Sequence, residues 1–170
     1  MSNSVKNNSL ISESVRKEID RWLKKYPPEH KQSGVLYALR VVQEQNSGWL
    51  TVELLDAVAD YLQIPKITVY EVATFYSMYN LKPVGRHTFS VCCNISCMLR
   101  GSEKMIEHLQ KRLGISVDET TADGRFTLRE VECLAACGGA PVMQLDDKHY
   151  HENLTPEKID TLLEELMGEK

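Results

Sequence analysis

Residues 87–101 read HTFSVCCNISCMLRG, and residues 125–141 read RFTLREVECLAACGGAP. In each stretch a β-rich run leads straight into a short-spaced cysteine pair. Cys92 and Cys97 make C-x4-C; Cys133 and Cys137 make C-x3-C; thirty-five residues lie between the pairs. His87–Cys92 alternates as a strand does, and Asp123-Gly124 is a hairpin-type turn ahead of a second strand, Arg125–Val131. Both pairs therefore fall on loops at one end of a common sheet. Four thiolates converging there would hold a metal centre, and the spacing suggests a [2Fe–2S] cluster rather than zinc.

Further cues bear on that site. Gly101, Gly138 and Gly139 would let the backbone pass close to a cluster. Asn94, Ser96 and the loop amides are candidate donors to sulfur. Ile95, Met98, Leu99, Leu134, Ala135 and Ala136 would limit water access. Cys93 neighbours a ligand on a strand, where successive residues face opposite ways, and is read as a non-ligand. Two other readings stay open: structural zinc, whose knuckles usually use C-x2-C, and plain buried core cysteines. The C-x-x-C of a disulfide exchanger is absent.

Outward from the pairs, Ser102–Leu113 has helical spacing, with Ile106, Leu109 and Leu113 on one face and Gly114 as its stop. Pro141–Leu145 reads as a short strand, Asp146-Asp147 as a turn, and Tyr150–Leu154 as its return. His149 and His151 share a strand face and read as ordinary surface residues. Thr155 caps a last helix, with Pro156 in its first turn and Ile159, Leu162, Leu163 and Leu166 inward. The order β-α-β-β-(β)-α suits a small sheet with helices packed on it, a thioredoxin-like arrangement.

Upstream of Pro83-Val84-Gly85, a linker signal, the pattern is helical. Ser12 is an N-cap before Val15, Ile19, Trp22 and Leu23, and Pro27-Pro28 ends that helix. A second helix spans 33–46, with Leu36, Leu39 and Val42 along one side. Thr51 caps a third, with Leu54, Leu55, Val58, Ala59 and Leu62 inward. Pro65 opens a fourth over Lys66–Tyr79. The expectation is thus an α+β chain: residues 1–11 a disordered tail, 12–84 a small helical bundle, and 85–170 a thioredoxin-like α/β domain carrying the cluster.

Composition narrows the function. The chain has 170 residues, is 42% hydrophobic and carries a net charge of −4. Residues 1–84 hold ten Lys/Arg against nine Asp/Glu; residues 85–170 hold ten against fifteen. An acidic cysteine-bearing half argues against a nucleic-acid partner. No apolar run approaches the eighteen or so residues that cross a bilayer, and Met1–Leu10 lacks the apolar stretch of a signal peptide. The expectation is a cytoplasmic protein with reduced thiols.

The segment Val91–Gly101, the run Asp123–Leu128 and the segment Cys133–Pro141 together resemble the 24 kDa-type subunit family of NADH:quinone oxidoreductase, respiratory complex I. V72-A73-T74-F75-Y76-S77, P83-V84-G85-R86-H87 and G48-W49-L50 are similar to that family's helical half. The resemblance runs from about residue 15 to 167. It implies a helical bundle followed by a thioredoxin-like [2Fe–2S] domain, with Cys92, Cys97, Cys133 and Cys137 on the ligand positions. It also implies a partner subunit that holds FMN and NADH and trades single electrons with the cluster. The assembly would lie on the inner side of the cell membrane without insertion of this chain. Similar modules in NAD-reducing hydrogenases and formate dehydrogenases leave the choice of complex open. Two departures are Cys93 and Ala135, which stands where many relatives carry Gly. No G-x-G-x-x-G or Walker A sequence occurs, so no NADH site is expected on this chain.

Overall fold

The structure, a computed structural model, describes residues 10–168. It divides after Pro83 into two compact units.

The first unit is helical: α1 (Glu13–Leu23), a 3-10 segment (Pro28–Gly34), α2 (Val35–Gln45), α3 (Val52–Leu62) and α4 (Lys66–Phe75). Ser12 and Thr51 start α1 and α3 as expected, their side chains accepting from the backbone N–H of Val15 and Leu54. Each cap satisfies one of the donors that a helix start leaves unpaired. The core joins Ile19 of α1, Leu39 and Val42 of α2, Leu55, Val58 and Leu62 of α3, and Val69 and Ala73 of α4.

Three expectations need correction here. Most of the presumed tail, residues 1–9, lies outside the described residues, but Ile11 is only 1% exposed and belongs to the core. The Ile11 carbonyl accepts from Arg16 Nε, and the Leu10 carbonyl from Gln45 Nε2. On α2 the inward residues are Val35, Ala38, Leu39 and Val42, while Leu36 turns outward. The fourth helix stops at Phe75, four residues early, because Tyr76 is extended. The chain then runs back along α2. Gln43 accepts from Asn80 N–H and donates to the Met78 carbonyl, and the Tyr79 hydroxyl donates to the Leu36 carbonyl. Tyr79 is consequently buried, whereas Phe75 is 80% exposed.

The second unit is a four-stranded sheet of order β2-β1-β3-β4, from β1 (His87–Cys92), β2 (Phe126–Val131), β3 (Met143–Leu145) and β4 (His149–His151). β1 and β2 run parallel and are connected through α5 (Ile95–Leu99) and α6 (Ser102–Leu113). β3 and β4 are antiparallel additions. Asp146 and Asp147 both take positive φ between β3 and β4, the geometry a tight hairpin needs. α7 (Pro156–Gly168) closes the chain.

All six residues of β1 are buried, because it lies between β2 and β3. Phe89 and Val91 share a face with Leu128, Met143 and Leu145. Against these pack Met105, Ile106 and Leu109 of α6 and Ile159, Leu163 and Leu166 of α7. Asp160 of α7 accepts from His108 and Arg112 of α6, which ties the two helices together at their rim.

Candidate metal centre

The parallel pair decides where the cysteines go. Cys92 ends β1, and its N–H donates to the Val142 carbonyl at 3.0 Å. Cys133 follows two residues after the end of β2. Both thus emerge at the carboxyl ends of adjacent parallel strands, where open α/β sheets usually place their sites.

The loop after Cys92 is not irregular, as the sequence suggested. Asn94 caps α5 through its side chain, which accepts from Ile95 N–H at 2.8 Å. One helical turn then carries Cys97 inward to 2% exposure. After Cys133, Ala135 adopts a left-handed φ of 55°, and a 3-10 turn (Cys137–Gly139) begins at the last cysteine. All five cysteines are free. Cys92 and Cys97 are buried with Ala140 and Val142, against Leu134 and Ala136; Cys133 and Cys137 are exposed.

The thiols act on one another. Burial pushes the Cys92 thiol up, but hydrogen bonds from the Asn94 and Leu134 amides and from the Cys97 and Cys133 thiols outweigh it and hold it below the ordinary thiol range. Burial, the hydrogen bond with Cys92, and the charges of Cys92 and Cys137 hold the Cys97 thiol up, opposed by the Val142 amide. The Ala135 N–H donates to Cys133 Sγ at 3.3 Å. Backbone amides are therefore directed at three of the sulfurs.

Cys93 stands apart. Its Sγ donates to the Val131 carbonyl at 3.3 Å, and burial together with Glu132 and Glu130 raises its pKa. Its thiol stays protonated and turned toward β2.

The surroundings of the thiols differ in part from expectation. Ile95 and Leu99 are 67% and 77% exposed, and Met98 also faces outward, so α5 presents its apolar side away from the thiols. The shielding comes instead from Leu134, Ala136, Ala140 and Val142. Asn94 caps a helix with its side chain and donates to the Cys92 sulfur through its backbone amide. Gly101 serves a left-handed turn that opens α6, and at Gly139 a Cβ would strike the Glu152 side chain. His151 is not an ordinary surface residue, because its Nε2 is buried without a partner.

Among the described residues, no three His, Cys, Asp or Glu side chains are gathered closely enough to hold one metal ion. The donor set as a whole fits a different guest. Four reduced thiols in an inner and an outer pair, with amides aimed at sulfur, are the composition a [2Fe–2S] cluster requires of its host.

Residues 19–167 match the family model described as thioredoxin-like [2Fe–2S] ferredoxin. The chain belongs to the thioredoxin-like [2Fe–2S] ferredoxin family. The family implies a [2Fe–2S] cluster. Among relatives, the E subunit of the NADH-quinone oxidoreductase of Rickettsia bellii is 47% identical over 147 residues, 86% of this chain and 87% of that protein. Its counterpart in Rickettsia felis is 49% identical over the same shares. NADH dehydrogenase [ubiquinone] flavoprotein 2, mitochondrial, of Dictyostelium discoideum is 42% identical across 90% of this chain and 62% of that protein. The fold also matches an NAD+-reducing [NiFe]-hydrogenase structure in its air-oxidized state, with a TM-score of 0.68 at 22% identity. That match covers 79% of this chain and 23% of the hydrogenase chain, so this ferredoxin spans under a quarter of its length.

Proposed function

We propose that this chain is the [2Fe–2S] electron-transfer subunit of an NADH:quinone oxidoreductase, with Cys92, Cys97, Cys133 and Cys137 as the cluster ligands. One observation supports the reading: both cysteine pairs follow the ends of β1 and β2, with Cys97 and Cys133 acting on Cys92 and Cys137 on Cys97, in a chain nearly half identical, over 86% of its length, to the rickettsial E subunits. The helical unit up to Pro83 and the sheet unit from Val84 would be the two parts of that subunit.

When bound, the cluster supplies one-electron chemistry. This chain's own residues do the rest. Cys92 and Cys97 seat the inner side of the site in an apolar lining, and Cys133 and Cys137 hold the outer, exposed side. The Ala135, Leu134, Asn94 and Val142 amides place partial positive charge against the sulfurs, which favours the more negative, reduced state. The exposed side is where a partner holding FMN and NADH would exchange single electrons with this subunit. Among the described residues no helix is long and apolar enough to cross a membrane; the subunit would be held at the cytoplasmic face through its complex.

The ligand set is tested by changing each of the five cysteines to Ser and recording the visible spectrum and the EPR of the dithionite-reduced protein. Loss of the two-iron signal at 92, 97, 133 and 137, with Cys93→Ser unaffected, supports the reading. A colourless protein with stoichiometric zinc would overturn it. Co-purification from native membranes with a flavin-bearing NADH dehydrogenase subunit supports the complex; recovery with hydrogenase or formate dehydrogenase subunits reassigns it.

A further inference from the structure

We propose that Arg100 is a positioning residue whose side chain clamps the second cysteine segment onto the first. The inference rests on the four-cysteine ligand set above. Arg100 Nε donates to the Ala140 carbonyl at 2.7 Å, across forty residues of sequence. Arg100 stands three residues after Cys97, and Ala140 three after Cys137. The bond therefore joins the exits of the two thiol-bearing segments.

Both ends of the clamp are fixed. Arg100 is the C-cap of α5, and its own N–H donates to the Ser96 and Cys97 carbonyls. Ala140 is fully buried. The carbonyls around it are taken by backbone: Gly139 by Asn153 N–H, Pro141 by Leu154 N–H at 3.0 Å, and Val142 by Cys92 N–H at 3.0 Å. The Ala140 carbonyl takes its donor from the Arg100 side chain. A buried carbonyl deprived of its donor is costly, so the segment would shift to find another.

The segment it holds needs holding. Between Cys133 and Ala140 lie a left-handed Ala135 and two glycines, Gly138 and Gly139, and no regular strand or helix beyond one 3-10 turn. Cys133 and Cys137 are exposed, so packing alone does not fix them. Partners one step removed from the ligands set ligand placement, and their loss typically weakens metal binding by about 10–100-fold.

Two substitutions separate the hydrogen bond from charge and bulk. Arg100→Met fills similar space with no donor. Arg100→Gln places an N–H at the same bond count from Cβ as Nε, without the charge. Full-length variants are loaded with iron and sulfide. Cluster loss to a chelator is followed by visible absorbance, and the g values of the reduced cluster are read by EPR. R100M is expected to release its cluster about 10–100-fold faster than wild type, with shifted g values. R100Q is expected to stay within a few-fold of wild type with unshifted g values. Wild-type release from R100M overturns the clamp, as does release from R100Q as fast as from R100M. An R100M chain that fails to fold, by far-UV circular dichroism of the apo protein, also overturns it, since Arg100 would then serve the fold and not the ligands. A wild-type chain that takes up no iron or sulfide overturns the cluster reading itself.

Discussion

The Ala135 N–H points at Cys133 Sγ from 3.3 Å, and the left-handed backbone of Ala135 redirects the chain that follows toward Cys137. An alanine pays for that conformation with a steric penalty of order 1 kcal/mol that glycine escapes. Ala135→Gly is expected to preserve the loop and stabilise the folded unit by up to about 1 kcal/mol, less the extra freedom glycine gains when unfolded. Ala135→Val, β-branched at the same φ, should destabilise it. Denaturant titration of the apo protein checks both, and unchanged stability in both would show that the strain is relieved elsewhere.

A cap tests the first unit. Thr51 Oγ1 accepts from Leu54 N–H at 3.2 Å and begins α3. Thr51→Ala should cost roughly 1 kcal/mol, and Thr51→Asp should restore most of it. Thermal melts of the two variants side by side supply the measurement.

Gly85 precedes β1, and a Cβ there would lie 2.8 Å from the Phe126 backbone. Backbone cannot swing aside as a side chain does. The same residue's N–H donates to Thr127 Oγ1 at 2.6 Å, so the approach sets how β1 meets β2. Gly85→Ala is expected to cost about 1–3 kcal/mol and to reduce cluster loading, since both cysteine pairs hang from these strands. Urea midpoints together with iron content would settle it.

Burial of the His151 ring, helped by nearby His149 and opposed by Glu165, lowers its pKa below the ordinary 6.5. The folded state therefore resists a proton that the unfolded chain accepts. Stability is complete above about pH 6.5 and declines as pH falls below it, until the folded pKa is passed. His151→Leu removes that dependence, and its Tm should fall less than wild type's between about pH 7.5 and 5. Equal slopes for the two proteins would mean that other groups carry the acid sensitivity.

What the sequence disclosed depended on whether a signal was local. α6 was legible from its first residue to its last, since apolar spacing and Gly114 mark it without help from afar. The placement of the Cys pairs was legible because each follows a strand-like run, and the fold sets them after β1 and β2. The end of α4 was not, because nothing at Phe75 stops a helix; Tyr76 turns extended so that Tyr79 and Asn80 can reach Leu36 and Gln43, some forty residues away. α5, one turn long, is too short to show a period, and the outward direction of Ile95 and Leu99 follows from it. Ala135 carries no glycine to announce its left-handed backbone. Arg100 gave no sign at all, since its partner is a carbonyl that folding alone brings near.

On the proposed ligand set, the first sulfur is mounted on an internal strand of its domain, hydrogen-bonded to a neighbour on each side. Such a mounting is stiff. A site whose scaffold barely moves when its charge changes wastes little energy on rearrangement at each hop, so an electron can leave as readily as it arrived. The other half of the ligand set has no such mounting, because Cys133 and Cys137 lie exposed on the irregular segment after β2, so bleaching of the cluster's colour on heating would report loosening of that segment before the sheet melts.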